Sequence, residues 1–200
     1  MPTCHRFQDA ALGRRTLLGA GLAVTALRAW ASQDAQAEAL LRKGGVVAAF
    51  RHALAPGTLD PPGFRLGDCG TQRNLSEEGR AKARRTGAWF KERQLQPARV
   101  LASPWCRCID TATLVFAAPQ VWPALGSPHG ARETTGADHL GELRQALVAA
   151  SLRAGSFEAW FTHMFVLADL AGGNVNSGEA LILRADASGK AEVLARLQIS

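Results

Sequence analysis

This 200-residue chain lacks several things that would each point to a familiar class of protein. It has no Gly-rich phosphate loop with its lysine, so nucleotide hydrolysis of the P-loop type is not supported. It has no cluster of carboxylates suited to caging magnesium. There is no dense basic stripe and no recognisable nucleic-acid module, which argues against a nucleic-acid partner although the formal net charge is +6. Repeats, charge blocks and low-complexity linkers are missing as well. Gly19-Ala20-Gly21 suggests a dinucleotide loop, but Val24 stands where the third glycine belongs and no strand precedes it.

What is present suits one globular domain: 47% hydrophobic and 20% charged residues allow a chain of this length to bury its own core. The opening segment reads as an address label. Arg14-Arg15-Thr16 precedes an apolar run, Leu17 to Leu27, that is too short to span a bilayer. Small-residue cleavage sequences follow at Ala29-Trp30-Ala31 and Ala35-Gln36-Ala37. The expectation is a twin-arginine-type signal peptide over 1–37, export to the periplasm, and a domain over 38–200 without stable membrane insertion. An ordinary secretory signal or a buried helix are the other readings. Without the leader's Arg6, Arg14, Arg15, Arg28, Asp9 and Asp34, 19 basic and 15 acidic residues remain, a net +4 that favours anionic small molecules.

Beyond the leader, short apolar runs alternate with helical patterns, which predicts an α/β/α sandwich: a mostly parallel central sheet with helices on both faces. Gly45 to Phe50 reads as a buried strand, followed by an extended loop marked by Pro56-Gly57 and Asp60-Pro61-Pro62-Gly63. A helix should start near Ser76, capped by that serine, with Gly79, Ala83, Gly87 and Phe90 as its buried stripe. Arg99 to Ala102 is a second strand, and a helix runs from about Arg107 to Phe116. Residues 118–137, rich in Pro and Gly, suggest an irregular lid-like excursion. His139 to Arg153 reads as helix, Phe157 to Phe161 as a third strand, and Met164 to Leu170 as a helical turn closed by Gly172-Gly173. Glu179 to Leu183 and Ala191 to Leu197 look like two final strands, antiparallel and near an edge.

Three strands thus end in polar residues: Arg51-His52 after the first, Arg107 shortly after the second, His163 after the third. In open α/β sheets such ends gather at one rim, where ligands bind. Two guanidiniums and two imidazoles meeting there suit a phosphoryl group, because a planar guanidinium holds two phosphate oxygens at once. Of the cysteines outside the leader, Cys108 follows the site-facing Arg107 and looks like a core residue, so Cys69 with Cys106 is the expected disulfide in an oxidising compartment. A zinc site is the alternative, but Cys106-x-Cys108 lacks the usual two-residue gap and has no histidine nearby in sequence.

These residues resemble the histidine phosphatase superfamily, which shares its fold with the cofactor-dependent phosphoglycerate mutases. Phe50-Arg51-His52-Ala53 is similar to that superfamily's Arg-His-Gly signature, with alanine for glycine. Asn74-Leu75-Ser76-x-x-Gly79, Ser103-Pro104-Trp105-Cys106-Arg107-Cys108-Ile109-Asp110-Thr111-Ala112, and Phe161-Thr162-His163 continue the match over residues 45–184. The resemblance implies a phosphomonoester hydrolase needing neither cofactor nor metal, with His52 as nucleophile and Arg51, Arg107 and His163 holding the phosphoryl oxygens. Export would separate the chain from the glycolytic pool, which favours phosphatase over mutase. A catalytically silent phosphate-ester-binding protein and a protein phosphohistidine phosphatase are the competing readings.

The leaving-group acid is open. Met164 stands where some branches carry an aspartate directly after the second histidine, so Asp60, then Glu133, then Asp68 are the candidates. Arg73 is a candidate substrate contact and equally a surface arginine. The expected partner is a small-molecule phosphate ester; neither oligomeric state nor the ester's identity is legible.

Overall fold

The computed structural model describes Met1 and residues 33–116, 119–127 and 137–199, and one compact unit comprises Gln33–Ser200. It is an α/β fold built on a six-stranded mixed sheet in the order β3-β2-β4-β1-β5-β6. The strands are β1 (Val46–Arg51), β2 (Arg99–Ala102), β3 (Gln120–Val121), β4 (Phe157–Thr162), β5 (Ala180–Ala185) and β6 (Ala191–Leu197). The helices are α1 (33–43), α2 (Glu77–Glu92), α3 (Cys106–Val115), α4 (Ala137–Ser151) and α5 (Met164–Ala171). Strands β1, β2, β3 and β4 run parallel to one another, whereas β5 is antiparallel to both β1 and β6.

The unbroken apolar character of β1 follows from burial on both sides, as parallel sheets under helices require. Val46, Ala48 and Phe50 join Ala37 and Leu41 of α1, Phe90 of α2 and Ala112 of α3 on one face. Val47 and Ala49 join Leu143 and Leu147 of α4 and Leu167 of α5 on the other. Phe50 stacks on Phe161 of the adjoining β4, with centroids 4.7 Å apart.

Helix α2 begins as expected, with the Gly79 N–H donating to Ser76 Oγ at 3.0 Å and Glu77 and Glu78 in the first turn. A Cβ on Gly79 would lie 2.2 Å from the Leu54 carbonyl oxygen, so glycine lets α2 seat directly on the chain just after His52. The buried stripe also includes Thr86 and Trp89, and Gly87 is only partly buried. Gly87 serves a close approach to α3, not to the sheet: its Cβ would meet the Val115 carbonyl oxygen at 2.7 Å.

Two elements differ from the sequence reading. The stretch after α3 is not wholly irregular, because β3 adds a parallel edge strand to β2 and Pro123–Leu125 forms a 3-10 turn. Residues 33–37 belong to α1: Ala37 is fully buried, and Gln36 Nε2 donates to the Leu194 carbonyl at 3.1 Å. The rest of the expected leader, residues 2–32, lies outside the described residues.

Candidate active site

Because β2, β4 and β1 are parallel neighbours, their C-terminal ends share one rim. Arg51 ends β1 and His52 follows; Ser103 follows β2, with Arg107 in the first turn of α3; His163 follows β4. Backbone bonds fix His52 and Ser103 against β4. The His52 N–H donates to the Thr162 carbonyl at 3.0 Å, and the Ser103 N–H to the Phe161 carbonyl at 2.9 Å. The two imidazole centroids stand 5.6 Å apart beside a cavity of about 200 Å³ that Arg51, Arg73 and Arg107 also line.

The tautomers follow from the partners. His52 Nδ1 lies 2.8 Å from the Ala53 carbonyl oxygen, which can only accept, so Nδ1 carries the proton and Nε2 keeps its lone pair. Burial is the main influence lowering this ring's pKa to about 3; Arg107, Arg73 and Arg51 act in the same direction and the Ala53 bond opposes them. At neutral pH His52 is therefore an uncharged imidazole with a free Nε2. Ala53 is itself pinned, its N–H donating to Thr111 Oγ1 at 3.0 Å.

His163 has the opposite arrangement. Its Nδ1 lies 3.5 Å from Arg107 Nη2, a group that can only donate, and its Nε2 lies 2.8 Å from Ser103 Oγ. Nε2 thus bears the hydrogen. Burial first, then Arg107, His52, Arg73 and Arg51, holds this ring well below the usual histidine range. The Cys108 sulfur sits 3.6 Å from the same Nε2, and burial pushes its thiol up to about 12, so it stays protonated.

Each of Arg51, Arg73 and Arg107 keeps a buried Nε–H without a hydrogen-bond partner. One terminal nitrogen of each of the first two is anchored: Arg51 Nη1 donates to the Val175 carbonyl at 2.8 Å, and Arg73 Nη1 to the Ala55 carbonyl. Three guanidiniums lining one cavity suit it to an anion. Arg73, read from sequence as equally a surface residue, is half-buried and belongs to this wall.

Asp60 also lines the cavity, but in a guise unlike that of an acid. It grips Arg107 with both oxygens, at 2.8 and 3.2 Å, and accepts further bonds from the Arg73 N–H and Trp105 Nε1, each at 3.0 Å. Burial alone would raise the carboxyl; the bonds from Arg107, the Arg73 backbone and Trp105 outweigh it and hold Asp60 below the usual carboxylate range. A leaving-group acid needs the reverse, a proton retained near neutral pH. Asp68 is away from the cavity, capping the 3-10 turn Cys69–Thr71 and pairing with Arg65 at 2.7 Å. Glu133 lies outside the described residues.

Cys69 and Cys106 form a disulfide with Cα atoms 5.7 Å apart, and Cys108 is free and buried. The bridge ties the loop carrying Asp60 and Arg73 to the start of α3. Gln72 reinforces it, accepting the Cys106 N–H at 2.9 Å. Ser103 and Thr111 were quoted from sequence as members of the second signature, without individual roles, and Gln72 received none, because an amide beside a motif is too common to single out. No group of His, Cys, Asp and Glu able to hold a metal occurs among the described residues.

Residues 64–129 match the model described as Histidine phosphatase superfamily (branch 1). That stretch contains Arg73 and Arg107 but neither histidine, so the placement of His52 and His163 rests on the geometry above. Comparison with curated proteins finds no match. Among solved structures, the chain is similar to the protein histidine phosphatase SixA complexed with tungstate: TM-score 0.51, 20% identity, 76% of this chain and 96% of that one covered. It is similar also to YhfR of Bacillus stearothermophilus, at TM-score 0.54 and 17% identity, covering 78% of this chain and 98% of that one. For Rv3214 of Mycobacterium tuberculosis the values are 0.54, 16%, 78% and 97%. These likenesses establish the fold, that of the histidine phosphatases and their phosphoglycerate mutase-like relatives.

Proposed function

We propose that this chain is a phosphatase that transfers the phosphoryl group of a monoester to His52 Nε2 and then to water, with guanidiniums in place of a metal ion. One observation carries the reading: two uncharged imidazoles and three arginines line a single cavity. In the first step Nε2 forms the N–P bond as the ester oxygen departs with the bonding pair. His52 Nδ1–H remains on the Ala53 carbonyl throughout and shares the positive charge that develops on the ring. Water then breaks the N–P bond, releasing inorganic phosphate and restoring the neutral imidazole. Three guanidiniums less the Asp60 carboxylate leave a net +2 around the cavity, the complement of a phosphomonoester dianion. Residence in the periplasm after twin-arginine export is part of the proposal. The Cys69–Cys106 disulfide supports an oxidising compartment, and the compact unit of Gln33–Ser200 supports a domain that stands without residues 2–32.

The ionised state of Asp60 favours a second reading, a protein phosphohistidine phosphatase. An imidazole leaving group takes up its proton from water at the ring nitrogen remote from phosphorus, so no acid is needed at the breaking bond. Brief exposure to p-nitrophenyl phosphate, an alkaline denaturing quench and mass spectrometry test the common step. Base-stable, acid-labile phosphate on His52, lost in His52→Ala, is expected. Phosphate binding without any phosphoenzyme would instead make the chain a silent binding protein.

A further inference from the structure

The cavity has two unlike halves. The inner half carries all the charge: Arg51, Arg73, Arg107, Asp60 and the two histidines. Among the described residues the outer half carries none, and its bulk comes from Leu59, Met164 and Phe165. Leu59 is 73% exposed and Phe165 42%, although exposed large apolar side chains are few among the described residues. Two of them flanking the same opening form an apolar rim continuous with a cationic floor.

We infer that the leaving group of the substrate is compact and apolar, an aromatic or branched hydrocarbon group carrying one phosphate, and that Leu59, Met164 and Phe165 select it. This rests on the phosphatase reading above and adds the substrate class. Charge is the first argument. Asp60 takes up one guanidinium, and the net +2 that remains is matched by a single phosphoryl dianion, leaving no further cation on the cavity wall among the described residues for a second phosphate or a carboxylate. Polarity is the second. Beyond the charged residues, Thr58 and Ser127 are the lining residues with a polar side chain among the described residues, and the Asp60 carboxylate is engaged by Arg107, Trp105 and the Arg73 backbone. A polyhydroxylated leaving group would give up its water for little in return. Size is the third: about 200 Å³ lies below the roughly 300–1,000 Å³ of ordinary ligand pockets, room for a phosphoryl group and a small appendage.

The test compares benzyl phosphate with 2-hydroxyethyl phosphate, whose alcohols are of similar acidity, so that chemistry does not mask contact. Expected is a kcat/KM roughly tenfold higher for benzyl phosphate, the scale of a single apolar contact in specificity. In Leu59→Ser and Phe165→Ser, whose exposed positions spare the fold, that ratio should fall toward one. Phosphorylation of His52 is scored alongside. A phosphoenzyme with a benzyl preference near one, or with a preference that both variants retain, overturns the inference and leaves the phosphatase reading standing. No phosphoenzyme from either ester removes the phosphatase reading, and the inference with it.

Discussion

Replacing Asp60 by Asn separates two roles for that residue. Asn keeps the shape and one accepting oxygen, but its amide nitrogen can only donate. Either orientation turns that nitrogen toward existing donors: Trp105 Nε1 and Arg107 Nη2 at one oxygen position, Arg107 Nη1 and the Arg73 N–H at the other. The Arg107 and Asp60 side chains are 5% and 9% exposed, so the pair is a buried one. Removing one partner of a buried pair costs about 3–5 kcal/mol. At the lower end this corresponds to a Tm lower by roughly 6–12 °C for a domain of this size. Arg107 also loses its aim, and misplacement by about 1 Å costs on the order of 10²-fold in rate. If Asp60 aims arginines and gives no proton, that loss should be the same for p-nitrophenyl phosphate, whose leaving group departs unaided, and for an alkyl phosphate. Were Asp60 the acid, the loss would be small for the first and about 10²–10⁴-fold for the second. Steady-state kcat/KM over a series of aryl and alkyl phosphates decides it: a deficit that grows steadily with the basicity of the leaving group refutes the positioning role.

Both histidines are held uncharged in the folded protein, so below about pH 6.5 the unfolded chain binds protons that the native state does not. Stability is full above that pH and declines as pH falls, by about 1.4 kcal/mol per unit from His52 alone until its folded pKa near 3; urea midpoints at pH 7 and 5 that coincide would contradict this. The Cys69–Cys106 bridge closes a separation of 37 residues, an effect of about 4 kcal/mol on loop entropy, and Cys69→Ser should lower both Tm and kcat/KM because the bridged loop carries Asp60 and Arg73. In a Cys4→Ser background, Cys108 should resist an aromatic disulfide reagent until the protein is unfolded, given its burial and raised thiol pKa; rapid native labelling would refute that. If the leader is removed on export, N-terminal sequencing should place the cut after Ala31 and not after Ala37, because the latter cut would remove the buried Ala37 and the first turns of α1.

The strands that position the site were legible because burial on both faces leaves an apolar signature with no alternation, and Arg99–Ala102 was read with its observed limits. The edge strand β3 escaped because it is two exposed residues, Gln120 and Val121, with no pattern to detect. Helix α1 was obscured by chemistry that imitates it: Ala35-Gln36-Ala37 has the small residues of a cleavage site, whereas Ala37 and Leu41, four apart, are the buried stripe of a helix. His52, His163, Arg51 and Arg107 stood out as polar residues following apolar strands. The partnership of Asp60 with Arg107 did not, because the two are 47 positions apart and a carboxylate in a Pro- and Gly-rich loop gives no local sign of the cation it will meet.

That partnership explains how so long a loop can serve a site needing sub-ångström placement. Residues 53–75 have no strand or α-helix of their own, and such segments are ordinarily the loosest in a domain. Here the disulfide holds one point, Gln72 on the Cys106 N–H a second, and the Ser76 N–H on the Leu54 carbonyl a third. Asp60 is the tie that also balances charge. Burial and the neighbouring Arg107 already depress the Arg73 guanidinium, which shows how poorly this wall tolerates its cations unaccompanied. A built-in carboxylate keeps Arg107 aimed before substrate arrives, while Arg51 and Arg73 line the cavity beside it. Removing Asp60 would raise the positive charge offered to phosphate and at the same time release the loop that delivers Arg73. Tighter anion binding and slower turnover are therefore compatible outcomes of one substitution.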